Sequence, residues 1–283
     1  MNSSSALYIV ATPIGNLDDI THRAIAILHK VDIIAAEDTR HSVKLMQHFG
    51  IGTPLVPYHD HSNEQQTERL LQRLEQGESI ALISDAGTPL ISDPGYRIVS
   101  LARERGLSVI PVPGACALVA ALSASGLPSD RFAFEGFLPA KNAARLARLQ
   151  DLSLDPRTLI FYESPHRIND SLTAMAEIFG PQRKAVLARE ISKTFETFLC
   201  ADFSSLLDIL ATDANQQRGE IVVMVHGFVQ EKTHASDLDG DTVKVMNILM
   251  DELPLKQAAA LGAKLSGEKK NRLYQWALEQ QDQ

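Results

Sequence analysis

The sequence lacks the features that mark several large classes of protein. It contains neither G-x-G-x-x-G nor G-x-x-x-x-G-K-[ST], the glycine patterns of dinucleotide-binding and P-loop proteins, so neither NAD nor ATP is the predicted ligand. No apolar run approaches the roughly 18 residues that a membrane-spanning helix needs. The N-terminal residues show no basic and apolar leader pattern, which favours a soluble, cytoplasmic protein.

Cysteine and positive charge are also scarce. The two cysteines, Cys116 and Cys200, match no zinc-binding or redox spacing, which argues against structural zinc and a disulfide framework. Lysine and arginine number 27 against 35 aspartates and glutamates, giving a formal net charge of -8. Any contact with nucleic acid must therefore come from local basic patches. The 283 residues are enough for about two domains with their own cores.

An apolar strand runs directly into a loop that contains proline or glycine three times in the first part of the chain. The strand–loop pairs are 7–11 with 12–16, 80–83 with 84–89, and 109–110 with 111–114. In open α/β sheets, ligands bind beyond the carboxyl ends of the strands, where glycine lets the backbone approach a ligand closely. The loops predict a small-molecule site, although loop 84–89 alone is equally typical of an ordinary turn.

Residues 1–112 show the alternation of strands and helices that is typical of a parallel sheet. Further strands are predicted at 31–36, 55–58, 79–84 and 109–110, and helices at 42–49, 64–75 and 96–105. Asp18 or Asp19 is predicted to cap the first helix, which contains Ile20 and Leu28. This alternation predicts an α/β domain with helices on both faces of the sheet.

The pattern changes after residue 112. Residues 113–228 contain predicted strands at 131–134, 158–162, 185–189, 197–200 and 221–225, and a helix at about 165–179. Several strands follow one another without a helix between them, which favours a mixed or antiparallel sheet in a second, α+β domain. Residues 231–241 are polar and typical of a linker. Helical apolar spacing beyond them predicts a small helical domain at 241–283.

Eight short motifs, in order along the chain, carry a specific resemblance. They are TPIGNL (12–17), AEDTR (36–40), SDAGTP (84–89), SDPG (92–95), PG (113–114), GLP (126–128), EGFLP (135–139) and FYESPHR (161–167). The whole pattern resembles the tetrapyrrole-methylase-like, or class III, S-adenosylmethionine-dependent methyltransferases. Within that superfamily it is similar to the ribosomal RNA small subunit methyltransferase I family over essentially the full chain. The first loop, 12–15, departs from the glycine-rich loop of the tetrapyrrole enzymes, which argues against a porphyrinoid substrate.

The resemblance implies two domains with S-adenosylmethionine in the cleft between them, and a small helix-turn-helix-like C-terminal domain. It implies a homodimer that methylates the ribose 2′-hydroxyl of a decoding-centre cytidine in 16S rRNA. Alignment of the motifs assigns cofactor binding to Pro13, Asp85, Ala86, Gly87, Thr88, Ala117, Leu118, Tyr162, Ala188, Gly219 and Glu220. In this alignment the backbone of 85–87 would hold the amino-acid moiety, and the residues at 188 and 219–220 would line the adenosine side.

Methyl transfer from a sulfonium is an in-line displacement, so the protein must mainly align donor and acceptor and exclude water. A ribose hydroxyl is a weak acid, and a general base or a group that stabilises a developing alkoxide would assist. Charged residues at or beside predicted strand ends are the candidates: Glu37, Asp38, Arg40, Glu163, His166, Arg189, Glu190 and Lys193. Each of these residues is equally typical of a surface ion pair or a helix cap, which are the alternatives to a catalytic role. The sequence does not single out a base, but 37–40 and 189–190 are favoured because charge follows an apolar strand immediately.

Two local concentrations of positive charge are candidates for RNA binding. Lys141, Arg145 and Arg148 lie in a stretch, 136–150, without an acidic residue, and helical spacing would place the two arginines near one face. The C-terminal segment carries Lys256, Lys264, Lys269, Lys270 and Arg272 against Glu268 and Glu279. A solvated helix face is the alternative for the first patch, and packing in the dimer is the alternative for the second.

The segment 59–61 (His-Asp-His) contains common metal ligands, but no third histidine or cysteine has supporting spacing, so no required metal is predicted. Three functions remain to be compared. They are an RNA ribose methyltransferase, a small-molecule methyltransferase for a tetrapyrrole or diphthine-like substrate, and a non-catalytic RNA-binding or ribosome-assembly factor. The basic segments and the complete motif set favour the first.

Overall fold

The computed structural model of the chain describes residues 5–59, 64–229 and 238–281. The chain divides into two compact units, residues 1–228 and 229–283. Most of the predicted linker, 231–241, lies outside the described residues. Within the described ranges, no helix combines the length and the apolar character that crossing a bilayer requires.

The first sheet is entirely parallel and has the order β3-β2-β4-β1-β5. Its strands are β1 (Leu7–Val10), β2 (Ile33–Ala36), β3 (Leu55–Pro57), β4 (Ile80–Ile83) and β5 (Val109–Val112). The helices around it are α1 (His22–Leu28), α2 (Thr39–His48), α3 (Glu64–Glu75) and α4 (Tyr96–Glu104). Because all strands run in the same direction, the loops that follow them meet at one edge of the sheet.

Apolar residues alternate along these strands and pack on both faces of the first sheet. On one face, Leu7 and Leu82 belong to a core with buried residues of α3 and α4. On the other face, Val10 and Ile83 belong to a core with buried residues of α1 and α2. This two-sided burial explains why the strands are almost continuously hydrophobic.

The second sheet is mixed and has the order β6-β7-β10-β8-β9, with only the β6–β7 pair parallel. Its strands are β6 (Phe132–Phe137), β7 (Thr158–Glu163), β8 (Lys184–Arg189), β9 (Thr197–Asp202) and β10 (Ile221–Val225). The helices are α5 (Ala117–Ser125), α6 (Asn142–Leu152), α7 (Ile168–Phe179) and α8 (Phe203–Thr212). Helices α6, α7 and α8 cover one face around Phe161 and Phe203. Helix α5 covers the other face through Leu118 and Leu122.

The C-terminal unit consists, in its described part, of α9 (Gly240–Glu252), α10 (Leu255–Ser266) and α11 (Lys270–Gln281). Met246, Leu273 and Trp276 form its core. Helices α9 and α10 pack closely at Gly262, where an added β-carbon would lie 2.4 Å from Met246 Sδ. Gly267, with φ +78°, ends α10 and allows the tight turn into α11.

Two local predictions differ from the structure. Asp18 and Asp19 lie in a 3-10 turn capped by Asn16, and Ile20 is extended, so the helix begins only after them. Thr21 is the residue that caps α1, since its Oγ1 accepts a hydrogen bond from Ala24 N–H at 3.1 Å. The prediction of an aspartate cap is therefore wrong. Strand β6 also continues to Phe137 rather than ending at 134, because a bulge before Gly136 keeps it paired with β7.

Candidate functional site

A cleft of about 310 Å³ lies within the first unit, between loops that leave the two sheets. Its lining comprises Ile14, Ala86, Gly87, Thr88, Ile91, Ser92, Asp93, Cys116, Ala117, Phe137, Tyr162, Glu163, Ser164, Pro165, Ile191, Gly219, Glu220, Ile221 and Val222. Most of these side chains are apolar or small. This is the composition expected of a site for a small organic ligand.

The first wall of the cleft is fixed by a backbone bridge between the loops after β1 and β4. Thr12 N–H donates to Gly87 O at 2.8 Å, and Gly87 N–H donates to Thr12 O at 3.1 Å. Gly87 has φ +81°, and a β-carbon there would lie 3.3 Å from Ile14 Cγ2. Thr88 Oγ1 donates to Ala115 O at 2.9 Å and so ties this loop to the loop after β5. The loops after β1, β4 and β5 therefore meet at one site, and the third makes its contact at Ala115, just beyond the predicted 111–114.

Tyr162, at the end of β7, forms part of the second wall. Its Oη accepts a hydrogen bond from Leu118 N–H at 3.1 Å, near the start of α5. Burial raises the pKa of the Tyr162 phenol, so the phenol stays protonated to a higher pH than that of a free tyrosine. The ring packs edge-on against Phe134 and Phe137, which hold it in place.

A charge cluster supports the third wall, where β10 begins. The Glu190 carboxylate accepts from Glu220 N–H at 2.9 Å and from Lys193 Nζ at 2.9 Å. Burial alone would raise the pKa of Glu190, but the hydrogen bonds from Glu220 N–H and Lys193 outweigh it and lower that pKa. For Lys193 burial lowers the pKa, and its two carboxylate partners raise it overall. The pair therefore stays charged around neutral pH and fixes the loop at Gly219.

Strained backbone is concentrated beside this cleft. Among the described residues, the only non-glycine positions with positive φ are Leu90, Ser92, Glu190 and Ser192. Ser92 lines the cleft, and Glu190 holds the cleft-lining Glu220. Such conformations cost about 1–3 kcal/mol each, and they persist where the surrounding structure fixes them, often at functional sites. Their position supports the assignment of the cleft as the functional site.

Seven of the residues predicted to bind the cofactor line the cleft: Ala86, Gly87, Thr88, Ala117, Tyr162, Gly219 and Glu220. The other four lie outside the lining. Pro13 is buried next to Ile14, and Ala188 is buried within β8. Leu118 takes part through its backbone N–H, and Asp85 is exposed beside Ala86.

The predicted catalytic residues after β2 form a separate network on the exposed side of the 84–88 loop. Asp38 N–H donates to Asp85 Oδ1 at 3.0 Å, and Asp85 N–H donates to Glu37 Oε2 at 3.3 Å. Arg40 forms an ion pair with Asp38 at 2.6 Å, and its hydrogen bonds hold the pKa of Asp38 well below its usual range. These residues position the loop and are not part of the cleft lining.

Glu163 and Arg189 are held by internal contacts. Glu163 lines the cleft, but its carboxylate accepts hydrogen bonds from Ser171 Oγ at 2.6 Å and Ser164 N–H at 2.7 Å and pairs with Arg167 at 3.0 Å. Arg189 is buried, and its guanidinium donates to the carbonyls of Phe195 and Arg218. With their polar atoms engaged in this way, both side chains position neighbouring loops.

The basic stretch on α6 is not a stripe of three exposed cations. Arg145 is only 4% exposed, and its guanidinium donates to Asn142 Oδ1 at 3.0 Å. It shares the buried face of the helix with Leu149 and Leu152, so the expectation of an exposed Arg145 is corrected. Lys141 and Arg148 are exposed, and Arg148 pairs with Glu135.

In the C-terminal unit, Lys256, Lys269 and Lys270 are exposed. Arg272 is half-buried and pairs with Glu268 at 2.8 Å. The described residues contain no cluster of side chains suited to a metal ion, and Asp60 and His61 of the segment 59–61 lie outside them.

Several cleft residues received no role from the sequence. Ser92 and Asp93 lie in the SDPG motif, Phe137 in the EGFLP motif, and Ser164 and Pro165 in the FYESPHR motif. The motifs were visible as a resemblance, but nothing in their spacing indicated that these strand ends converge. Ile191 lies in no motif, and only the fold brings it to the cleft.

Comparison with known proteins agrees with this geometry. The sequence profile of the family Tetrapyrrole (Corrin/Porphyrin) Methylases matches residues 6–206, and that of the RsmI C-terminal HTH domain matches residues 236–281. The chain is similar to two curated proteins that both carry the name Ribosomal RNA small subunit methyltransferase I. The one from Pseudomonas aeruginosa is 56% identical over 279 residues, covering 99% of each chain. The one from Escherichia coli O157:H7 is 54% identical over 280 residues, covering 99% of this chain and 97% of that one.

Among solved structures, the chain resembles uroporphyrin-III C-methyl transferase from Thermus thermophilus complexed with S-adenyl homocysteine. The TM-score is 0.53 at 18% identity, with 78% of this chain and 97% of the other covered. At that identity the likeness concerns the fold.

Proposed function

The chain belongs to the tetrapyrrole (corrin/porphyrin) methylase family, within its ribosomal RNA small subunit methyltransferase I group, and we propose that it methylates a ribose 2′-hydroxyl of a decoding-centre cytidine in 16S rRNA. The observation that carries the proposal is the similarity to rRNA methyltransferases over 99% of the chain, including the C-terminal unit. We further propose that the protein acts as a cytoplasmic homodimer.

The residues of the cleft fit S-adenosylmethionine. The lining offers apolar surface at Ile221 and Val222 for an adenosine, and the loop at Gly87 leaves backbone groups unobstructed by a β-carbon. When bound, this cofactor supplies an electrophilic methyl group on a sulfonium. The protein's own contribution is to hold the acceptor oxygen in line and to exclude water.

In this proposal the two predicted domains supply opposite walls of the cleft. From residues 1–112, the backbone of 85–88 holds the amino-acid end of the cofactor, with Pro13 fixing the adjacent loop. From residues 113–228, Ala117, Tyr162, Gly219 and Glu220 surround the adenosine end, with Leu118 and Ala188 behind them. The bridge between Thr12 and Gly87 sets the distance between the loops of the first wall.

The candidates for a catalytic role divide by position. Glu163 is the only member of the predicted set Glu37, Asp38, Arg40, Glu163, Arg189 and Glu190 that lines the cleft, and internal hydrogen bonds engage both of its oxygens. We assign Glu163 and Glu190 to positioning the loops at 164–165 and 219–220. No described side chain is assigned as the base. In this proposal the alignment of donor and acceptor supplies most of the rate enhancement.

RNA recognition is assigned to two basic surfaces. Lys141, directly before α6, and Arg148 on α6 would contact phosphates near the cleft unit, and Lys256, Lys269 and Lys270 would do so from the helical C-terminal unit, at residues 241–283. Arg272, paired with Glu268, would orient α11. Phosphate contacts of this kind supply affinity and position, and base contacts supply specificity.

The test is to map ribose methylation in the small-subunit rRNA of cells with and without this protein. We expect one cytidine 2′-O-methyl group to disappear in the deletion strain and to return when the gene is restored. The purified protein should transfer labelled methyl from S-adenosylmethionine to small subunits from the deletion strain. Methylation of uroporphyrinogen III with no transfer to RNA would contradict the proposal and favour the small-molecule alternative.

A further inference from the structure

A second cavity, of about 460 Å³, opens next to the cleft. The two cavities share Pro165 and Gly219 as lining residues, so they are adjacent where β7 ends and β10 begins. We call the second cavity the side pocket, defined by the lining residues His166, Asn169, Gln217 and Arg218 together with the two shared ones.

The floor of the side pocket is internally satisfied. Asn169 Nδ2 donates to Gln217 Oε1 at 2.8 Å, and Gln217 Nε2 donates to Leu210 O at 2.7 Å. These bonds connect α7 to the segment before β10 and fix the two sides of the pocket. A ligand there meets a rigid surface and does not have to order it.

The remaining polar side chains of the side pocket are His166 and Arg218. Within the described ranges neither side chain has a hydrogen-bond or ion-pair partner, and no acidic residue lines the pocket. Several other arginines of this unit, such as Arg105 and Arg157, are paired with carboxylates. In a chain of net charge -8, an unpaired guanidinium next to a nitrogen heterocycle marks a place for an anion.

The position of the pocket identifies the anion. We propose that Arg218 and His166 bind the phosphodiester adjacent to the nucleotide whose ribose enters the cleft. This inference rests on the proposed function. In RNA the 2′-hydroxyl and the 3′-phosphate are attached to neighbouring carbons of one sugar. When the hydroxyl enters the cleft, its phosphate therefore lies directly beside the cleft, where the side pocket is located.

Arg218 can be altered without disturbing the fold. Its backbone carbonyl accepts from Arg189 and its backbone N–H donates to Asn215 O, and both groups survive a side-chain substitution. The variants are Arg218→Ala, Arg218→Lys and His166→Gln. The matched control is Arg69→Ala, an exposed arginine on α3.

Methyl transfer to small subunits from the deletion strain is measured at several RNA and salt concentrations. For Arg218→Ala we expect KM for RNA to rise about tenfold, as for loss of one charge-assisted hydrogen bond, with kcat nearly unchanged. The affinity for RNA decreases as salt increases, and the magnitude of the slope of log affinity against log salt should be smaller by about 0.7 to 1. Arg218→Lys should restore the wild-type salt slope and reverse part of the increase in KM. His166→Gln should raise KM less than Arg218→Ala does. The affinity for S-adenosylmethionine should equal the wild-type value in all variants.

Filter binding of the same RNA gives a readout that does not depend on methyl transfer. If Arg218→Ala matches Arg69→Ala in KM, affinity and salt slope, the side pocket does not bind phosphate and the inference is overturned, while the proposed function stands. If the wild type binds RNA but methylates none, and Arg218→Ala still reduces the salt slope, the proposed function fails and the phosphate site stands.

Discussion

Gly219 lies directly against the carboxylate of Glu190: a β-carbon on Gly219 would be 2.4 Å from the Glu190 carboxyl carbon. That carboxylate is not free to move away, because it binds Lys193 Nζ and Glu220 N–H. The absence of a side chain at one residue therefore allows the charge cluster that shapes one wall of the cleft.

Gly219→Ala is expected to displace Glu190 and to lower the affinity for S-adenosylmethionine about tenfold. The positive φ of +81° adds a loss of about 1 kcal/mol or more in the free energy of unfolding. Gly77→Ala is the matched control, since Gly77 has φ +99° and nothing within 4 Å of an added β-carbon. Gly77→Ala should show only the loss of stability that comes from backbone strain, and it should keep the cofactor affinity. Calorimetry measures the cofactor affinity, and urea unfolding measures the stability. Equal affinities in the two variants would contradict the role of Glu190 in shaping the cleft.

Gly87→Val is expected to weaken cofactor binding by tenfold or more. The β-carbon would press against Ile14 Cγ2 at 3.3 Å, and valine is strained at φ +81°. The bridge to Thr12 would then shift, and with it the first wall of the cleft. Gly50→Val, at φ +64° with open space around it, is the control for backbone strain alone. If a folded Gly87→Val protein binds the cofactor with wild-type affinity in calorimetry, this loop is not part of the binding site.

The sequence predicted the loop that carries Gly87, and the resemblance assigned Gly219 to the cofactor site, but neither indicated the contacts that these glycines make. Strand and helix positions followed from apolar periodicity, which reports local structure well. The hydrogen bond between Asp85 N–H and Glu37 joins residues 48 positions apart, and no local pattern encodes that pairing. Only the order of the parallel strands brings those two loops together.

Arg145 shows a different reason for error. Charge type suggested an exposed position, yet Arg145, Leu149 and Leu152 recur at the spacing of one helix face, and all three are buried. The periodic signal was present and pointed to burial. An arginine can occupy such a position because its long aliphatic stem packs while its guanidinium finds Asn142.

Tyr162→Phe is expected to change the pH dependence of stability. The pKa of Tyr162 is raised by burial, so above about pH 10 the unfolded chain loses this proton while the folded chain retains it. Wild-type stability should therefore fall as pH rises beyond 10, and the variant should fall less steeply. Urea unfolding between pH 8 and 11 measures this. Tyr96→Phe, at a side chain 79% exposed, is the control. Parallel pH profiles for Tyr162→Phe and wild type would contradict the expectation.

Replacing Lys141 and Arg148 with alanine is expected to reduce the salt dependence of RNA binding, because fewer counterions are released. The slope of log affinity against log salt should fall by about 1 to 2, with unchanged cofactor affinity. Arg145→Met is the control on the same helix: its buried position predicts an unaltered salt slope. If the double variant has the wild-type salt slope, these residues do not contact RNA, and α6 is an ordinary solvated helix face.

A chain that ends after residue 230 is expected to keep cofactor binding and lose RNA engagement. The cleft and the four hydrophobic cores around the two sheets lie within residues 1–228, so this unit should fold without the helical one. Methylation of small subunits should then show a raised KM for RNA, because Lys256, Lys269 and Lys270 are gone. The full chain with these three lysines changed to alanine separates the loss of positive charge from the loss of the helices. It should also have a raised KM for RNA. Sedimentation tests whether the missing helices pack in a dimer. A truncated dimer that methylates fully at limiting RNA would overturn the RNA-holding role of the C-terminal unit.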